Sequence, residues 1–424
     1  MAGALVCFLL AFQRPPFLAA VRIKSVNALR IPWLALLACY GLAVTSAFPA
    51  QVELPLIRPQ SDRRLAVTQA IQGVKQKYAP DDGLAIFAVG VTSLGRELVL
   101  TGEVDRAEAK LEVVRAVQAT GARVHDQIRC LPDERLGEEV WGIGALSVSN
   151  GRLGPEHKAE LGTQVLMGEL IRVWKRSTTS AYAWSYTQTG DGYLSWLQRG
   201  TFVRCTRQQA EAWAHGPLLM VTACEERVLE QPQPDAQPVS DVVACDRLRR
   251  TGEQGDWWQV ELPDQRKGYL PKAAAQDFAQ WQQTRQATPE NIERTARSFI
   301  GRPYFWGGNS PKGFDCSGFT KTVFHLNGIE LLRDSSKQAR QGAPVPLDAD
   351  LSQVRKGDLL FFGRRPRGGG PERVIHVGIY LGDKLFIHSS ERVRISSLDP
   401  ESPIRDEGRI RSLLRVRRLL PATH

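Results

Sequence analysis

One cysteine of this sequence lies in a setting that suits a nucleophile. Cys316 follows the aromatic and glycine-rich residues 304–308, and it precedes apolar residues at helical spacing that Gly328 can end. Cys316 is therefore expected at the N-terminus of a helix, where unpaired amides and the helix dipole favour a thiolate. This pattern predicts nucleophilic catalysis by the sulfur rather than a small cysteine buried in the core.

Two of the seven histidines stand where a base could reach that thiol. His376 begins one apolar run, His388 ends the next, and residues 382–384 separate the two runs. This spacing predicts a β-hairpin with a three-residue loop, in which Leu381 pairs with Leu385. Both imidazoles would then project from one face, about 7 to 8 Å apart at their Cα atoms. A loop one residue shorter would place them on opposite faces, so the geometry depends on this register.

The remaining chain is organised as small units that precede this chemistry. Its 424 residues are 42% hydrophobic and 24% charged, which is typical of packed domains and excludes a collagen-like or wholly disordered chain. Residues 63–132 have the pattern helix, strand, strand, helix, strand. Residues 141–215 and 216–278 contain short strands separated by Gly, Asp and Pro, which predicts small β-barrels or sandwiches. Residues 288–420 form the unit that carries the cysteine and both histidines.

Two further segments connect and complete these units. Residues 276–287 are polar and rich in Gln, which predicts a connector before the last unit. The helix that follows starts at Thr288, with Pro289 at its first position. Arginines alternate with Ile, Leu and Val over residues 405–418, which predicts a final strand.

The first 47 residues have the layout of an export signal. Basic residues precede the apolar residues 31–44, and small residues follow them. At about 1.5 Å per residue this run is short of the roughly 30 Å hydrocarbon core, so a removed leader is favoured over a membrane span. Residues 36–39 also resemble a lipoprotein cleavage box, in which Cys39 would carry a lipid anchor. We therefore expect export to the periplasm or cell envelope, and the net charge of +10 suits anionic surroundings.

The cysteines and histidines do not have the spacing of a zinc site. No C-x-x-C or H-E-x-x-H motif is present, and neither a metal nor an organic cofactor is expected. Removal of the leader leaves an odd number of cysteines, so at least one is expected to be a free thiol. These are Cys130, Cys205, Cys224, Cys245 and Cys316.

Residues 288–420 resemble the NlpC-type cysteine peptidases, which cut bacterial cell-wall peptides. The matching blocks occur in the family's order, at residues 306–308, 315–318, 356–362, 376–380 and 387–388. The resemblance implies a papain-like α+β fold. It also implies that Cys316 is the nucleophile, that His376 is its base, and that His388 orients His376. The same roles follow from thiol chemistry.

The earlier units have resemblances of their own. Residues 141–215 and 216–278 resemble bacterial SH3-like repeats, and residues 63–132 resemble a BON module, which implies attachment to lipid or wall polymer. A plain packing unit is the open alternative for residues 63–132. The expected fold class is thus a multidomain chain: a small α+β (BON-like) module, two all-β SH3-like barrels and a papain-like α+β peptidase domain.

The subgroup that carries SH3-like repeats before the peptidase implies a substrate pocket. Asp334 and Ser335 match an Asp-Ser pair that holds the free amine of an N-terminal L-Ala. Glu160 and Tyr193 occupy positions similar to those of a Glu and a Tyr that the first repeat supplies to the same pocket.

Three residues around the nucleophile complete the predicted site. Tyr304 and the backbone amide of Cys316 are candidates to stabilise the oxyanion. Asp315 and Ser317, on either side of the nucleophile, are further candidates for substrate contacts.

Together these features predict an exported cysteine endopeptidase that hydrolyses the γ-D-glutamyl to L- or meso-diamino acid bond of peptidoglycan stem peptides or muropeptides. A free N-terminal L-Ala is expected to be preferred. Two alternatives stay open: an inactive wall-binding protein, and a thiol amidase or acyltransferase on another envelope substrate. We expect a monomer with no nucleic-acid partner, associated with the envelope or membrane through its N-terminal region.

Overall fold

The structure is a computed structural model that describes residues 60–94, 97–178, 183–348, 350–366 and 370–421. The predicted leader, including Cys39, lies outside the described residues. Within the described ranges, no helix combines the length and hydropathy that a bilayer crossing requires.

The first unit packs two helices against a three-stranded sheet. The elements are α1 (Gln60–Tyr78), β1 (Phe87–Leu94), β2 (Glu97–Val104), α2 (Ala107–Gln118) and β3 (Arg123–Cys130). Strand β2 lies in the middle, antiparallel to β1 and parallel to β3. Ala109, Val113 and Val117 of α2 lie at helical spacing, and all three are buried in the core of this unit. The predicted order of helices and strands is confirmed.

Two seven-stranded antiparallel sheets follow. The first contains β4 (Trp141–Gly144), β5 (Val148–Arg152), β6 (Leu161–Leu166), β7 (Leu170–Arg176), β8 (Trp184–Gln188), β9 (Leu194–Gln198) and β10 (Phe202–Cys205), in the order β10-β4-β7-β8-β9-β5-β6. After α3 (Arg207–Ala214), the second contains β11 (Leu218–Val221), β12 (Glu225–Leu229), β13 (Pro238–Val243), β14 (Arg247–Gln254), β15 (Trp257–Glu261), β16 (Lys267–Pro271) and β17 (Ala275–Asp277). Its order is β13-β12-β16-β15-β14-β11-β17.

The connector before the last unit is more ordered than predicted. Helix α4 (Phe278–Thr284) occupies most of residues 276–287. Asp277 caps this helix by accepting the amide hydrogen of Gln280 at 3.1 Å, and Trp281 is buried against Phe278. One buried indole therefore anchors a segment whose composition is otherwise polar.

The last unit wraps helices around a six-stranded sheet of order β20-β25-β21-β22-β23-β24. Its helices are α5 (Pro289–Ser298), α6 (Cys316–Leu326), α7 (Ser335–Gln338) and α8 (Glu407–Ser412). Its strands are β18 (Asn309–Ser310), β19 (Gly313–Phe314), β20 (Ala343–Val345), β21 (Leu359–Arg364), β22 (Arg373–Gly382), β23 (Leu385–Ser390), β24 (Arg392–Ser397) and β25 (Leu413–Arg418). The apolar faces of α5 and α6 share one core with β21, β22 and β23. The sheet therefore holds α6, which begins with the cysteine, against the strands of the histidine hairpin.

The prediction of a single strand over residues 405–418 is wrong. The first half of the segment is α8, and only β25 is extended. Asp406 starts the helix because its side chain accepts the amide hydrogen of Arg409 at 3.0 Å. The alternation of arginine with apolar residues does not reveal this cap.

The loop of the histidine hairpin is also shorter than predicted. Gly382, rather than Leu381, pairs with Leu385, and the loop is formed by Asp383 and Lys384, both with positive φ. Leu381 lies at a register shift, which adds one residue to β22. The extra residue compensates for the shortened loop, so the register beyond it is the predicted one and both imidazoles lie on one face.

Candidate active site

Cys316 is the first residue of α6, as predicted. The Asp315 side chain caps the helix by accepting the amide hydrogen of Gly318 at 2.7 Å. The backbone amides of Ser317 and Val377 approach the sulfur and act to lower the pKa of the thiol. Because Val377 directly follows His376, the sulfur lies beside the strand that carries the predicted base. Cys316 is a free thiol, as are the other four cysteines among the described residues.

The two histidines form a buried hydrogen-bonded chain. His376 Nε2 lies 2.8 Å from His388 Nδ1, and His388 Nε2 lies 3.1 Å from Ser396 Oγ. The chain is satisfied when His376 donates from Nε2 and His388 donates from Nε2 to the serine. In that tautomer, Nδ1 of His376 carries a lone pair that can accept the proton of the thiol. The geometry thus gives His388 an orienting contact with His376.

Burial favours the neutral form of both reacting groups. Desolvation, assisted by the neighbouring Asp315 carboxylate, raises the pKa of Cys316 to about 12. Desolvation also lowers the pKa of His376 well below its ordinary value. Burial therefore acts against the thiolate that the helix N-terminus was predicted to favour, while the backbone amides of Ser317 and Val377 act in the opposite direction.

A cation that was not predicted from the sequence also lowers the pKa values of the two histidines. The Arg409 guanidinium lies 5.6 Å from the Phe362 ring centre, which lies 5.8 Å from the His376 ring centre. This charge, with that of Arg394, further lowers the pKa values of His376 and His388. Arg409 was missed because its segment was predicted to be a strand.

Folding stability is expected to fall as the solution becomes acidic. Burial, followed by the charges of Arg409 and Arg394, lowers the pKa of His388 to about 3. Between about pH 6.5 and that value the unfolded chain binds a proton that the folded imidazole refuses, so acid favours unfolding. Each such imidazole contributes about 1.4 kcal/mol per pH unit in that window. Urea unfolding measured at several pH values tests this.

A pair of substitutions isolates the contribution of the buried imidazole. His388→Gln should give a shallower pH dependence of the unfolding free energy, whereas the exposed His215→Gln should leave the slope of the wild type unchanged. Equal slopes for all three proteins would contradict the buried-imidazole explanation.

The predicted substrate residues converge on one cavity. A cavity of about 130 Å³ reaches Cys316 and is lined by all seven of them: Glu160, Tyr193, Tyr304, Asp315, Ser317, Asp334 and Ser335. Glu160 and Tyr193 come from the unit with strands β4 to β10, and the other five residues come from the last unit. These two units are in contact beside the cavity, where Trp306 Nε1 donates a hydrogen bond to Glu160 at 2.8 Å. The structure therefore brings together the substrate residues that were predicted from the sequence.

Asp315 and Ser317 line the cavity, but their polar atoms are engaged within the protein. Arg333 donates to both carboxylate oxygens of Asp315, at 3.0 and 2.6 Å, and to Ser317 Oγ at 3.1 Å. Gly307 donates a further backbone hydrogen bond to Asp315 at 3.0 Å. These contacts make both residues part of the scaffold at the start of α6. Arg333 was missed because its distance from Asp315 along the chain follows no local pattern.

The side chain of Asp334, in contrast, is less engaged within the protein. It occupies the N-cap position of α7, yet its side chain makes no capping hydrogen bond. Its carboxylate is more than a third exposed and pairs with the Lys337 ammonium at 3.3 Å. Asp334 is thus available to a ligand in the cavity, with Lys337 as its neighbour. Among the described residues, no cluster of His, Cys, Asp or Glu is arranged to hold a metal ion.

Comparison with known proteins places this site in a family. Residues 301–407 match the NlpC/P60 family. A dipeptidyl-peptidase 6 of Lysinibacillus sphaericus is 29% identical over 263 residues, which cover 59% of this chain and 89% of that protein. A gamma-D-glutamyl-L-lysine dipeptidyl-peptidase of Bacillus cereus is 28% identical over 287 residues, which cover 67% of this chain and 82% of that protein.

A solved structure extends the likeness to the fold. The crystal structure of an NlpC/P60 family protein from Bacillus cereus is similar with a TM-score of 0.55 and 24% identity. The alignment covers 66% of this chain and all of that chain. The shared fold therefore includes residues beyond the segment that matches the family.

Proposed function

The chain belongs to the NlpC/P60 family of cysteine peptidases through its C-terminal domain, and we propose that it hydrolyses the γ-D-glutamyl to diamino acid bond of peptidoglycan stem peptides. One observation carries this proposal: the cavity that reaches Cys316 is also lined by Asp334 and Glu160. Carboxylates that line a small cavity suit the ammonium of a peptide N-terminus. The part of the cavity beside Cys316 would hold the carbonyl that the sulfur attacks. The two relatives named above, both dipeptidyl-peptidases, support the same reading.

The geometry suggests how the reaction would proceed. The Cys316 sulfur attacks the γ-carbonyl carbon of D-Glu while Nδ1 of His376 takes the thiol proton. The resulting oxyanion lies near the Cys316 amide and Tyr304, whose hydroxyl has its pKa raised by burial and so keeps its proton for donation. His376 then protonates the leaving amine, which breaks the C–N bond and leaves an acyl-enzyme. Water, deprotonated by His376, then attacks the acyl-enzyme and releases L-Ala-D-Glu with a free γ-carboxylate, and the imidazolium returns its proton to the sulfur.

The surrounding units would restrict this chemistry to free stem peptides. We assign the two seven-stranded sheets as SH3-like repeats at residues 141–215 and 216–278, and residues 63–132 as the BON-like module. The first repeat lines one wall of the cavity through Glu160 and Tyr193. This wall limits the space beyond the substrate's first residue, so a stem still linked through its L-Ala nitrogen would be excluded. Export to the periplasm or cell envelope completes the proposal.

Blocking the substrate amine is expected to abolish most of the activity. Purified protein should cleave L-Ala-γ-D-Glu-diamino acid peptides, and N-acetylation should lower kcat/KM by about 100-fold because Asp334 loses a charged partner. Mass analysis of the products from paired free and acetylated peptides measures both rates.

Asp334→Asn tests the residue itself. It should cost about 10- to 100-fold in kcat/KM on the free peptide and much less on the acetylated one. Asp264→Asn, in the loop between β15 and β16, is the matched control and should behave as the wild type. Equal rates of wild-type cleavage on free and acetylated peptides would refute the amine pocket. An absence of cleavage would favour an inactive wall-binding protein or an acyltransferase.

A further inference from the structure

A lysine from the protein itself lies against the proposed amine pocket. The Lys337 ammonium lies 3.3 Å from Asp334 and 5.4 Å from the centre of the Tyr193 ring. Only 9% of Lys337 is exposed. Its charge therefore stands where the ammonium of a substrate would be attracted, and the two cations would compete for Asp334.

A second carboxylate, from the first unit, holds this lysine. Asp81 lies in the connection between α1 and β1, and its Oδ1 is 3.1 Å from Lys337 Nζ. The lysine thus bridges two carboxylates that are far apart in sequence. If both acids are ionised, the group retains one negative charge, which a substrate ammonium can neutralise. Without Asp81, Lys337 would neutralise Asp334 completely.

The connection that carries Asp81 is fixed to the wall of the pocket. Asp81 Oδ1 accepts the amide hydrogen of Gly83 at 2.9 Å, and the Gly83 carbonyl accepts the Leu194 amide hydrogen at 3.0 Å. Gln188 donates a further hydrogen bond to the Leu84 carbonyl at 2.8 Å. Leu194 and Gln188 flank the segment that contains the cavity tyrosine. Asp81 is therefore held in place by the same strands that shape the pocket.

We propose that Asp81 is a positioning residue for substrate recognition: it shares the charge of Lys337 with Asp334 and so preserves a binding site for the free amine of the peptide. The first unit would then be part of the specificity machinery, in addition to any attachment role. This inference rests on the proposed function, because it assumes that Asp334 binds the substrate amine.

The test is a double-mutant cycle on free and N-acetylated L-Ala-γ-D-Glu-diamino acid peptides. Asp81→Asn should raise KM for the free peptide about tenfold, with little change in kcat, in Tm or in the rate on the acetylated peptide. Adding Lys337→Met removes the competing cation and should return KM to near the wild-type value. Asp82→Asn is the matched control, since the neighbouring Asp82 is exposed and pairs with Lys75 instead.

The possible results distinguish a failure of this inference from a failure of the proposed function. If the wild type prefers the free peptide but Asp81→Asn leaves KM unchanged, the inference is wrong and the proposed function stands. If the ion pair were purely structural, Asp81→Asn would lower Tm, would change the cleavage of both peptides alike, or would not be rescued by Lys337→Met. Any of these results overturns the inference. If the wild type does not distinguish the two peptides, the amine pocket itself fails and the inference fails with it.

Discussion

Replacement of Cys316 by alanine is expected to lower kcat on L-Ala-γ-D-Glu-diamino acid peptides by at least about 10⁴-fold. In the proposed mechanism the acyl-enzyme requires a bond to this sulfur, and no other side chain acts as the nucleophile. The fold should persist, because Asp315 still caps α6 and only one buried atom is removed. Steady-state rates and the mass of any trapped acyl-enzyme measure the effect.

A second buried cysteine provides the control. Cys205 is as buried as Cys316, and desolvation raises the pKa of its thiol to about 11, but it lies in β10, away from the cavity. Cys205→Ala should retain the wild-type rate. If Cys316→Ala kept that rate, thiol catalysis would be refuted. If both variants lost activity together with their thermal transition, general unfolding would be the cause.

Burial of the reacting pair bears on the timing of proton transfer. It shifts the pKa values of the Cys316 thiol and the His376 imidazole in the directions that disfavour an ion pair between them. Substrate in the cavity brings a carbonyl that becomes an oxyanion, and its negative charge compensates the imidazolium as both form. The charge of Arg409 disfavours the imidazolium, so we expect the proton to move together with the attack on the substrate.

The local parts of the site could be predicted because each depends on neighbours in the chain. The start of α6 follows from Asp315 as a cap and from apolar residues at helical spacing. The shared face of His376 and His388 follows from their spacing across a turn. The loop itself was predicted one residue too long, since apolar alternation does not distinguish a third loop residue from a bulge at Leu381.

The parts that were missed depend on tertiary contacts. Arg333 reaches Asp315 from a separate segment, and Asp81 reaches Lys337 from another unit. Neither pairing follows a helical or strand period, so the sequence offers no signal for it. The effect of burial on the Cys316 thiol was missed for the same reason, because desolvation is a property of the packed core and not of the residues next to Cys316.

The contact between Arg333 and Asp315 is the buried ion pair on which the nucleophile depends. The two terminal guanidinium nitrogens of Arg333 each donate a hydrogen bond to one carboxylate oxygen of Asp315, and Arg333 is only 2% exposed. Asp315 in turn caps the helix that begins with Cys316. Removing the arginine would leave the carboxylate buried without its counter-charge, and removing a single partner of such a pair costs far more than the pair contributes in total.

Arg333→Met is therefore expected to lower the free energy of unfolding by about 3 to 5 kcal/mol, since an unpaired charge remains buried. Activity should fall as well, because a protonated or displaced Asp315 no longer fixes the start of α6. Urea unfolding followed by tryptophan fluorescence measures the first effect. Arg297→Met is the matched control: its pair with Glu293 is more exposed, and its loss should cost less than about 1 kcal/mol. Equal losses of stability in the two variants would contradict the role given to the buried pair.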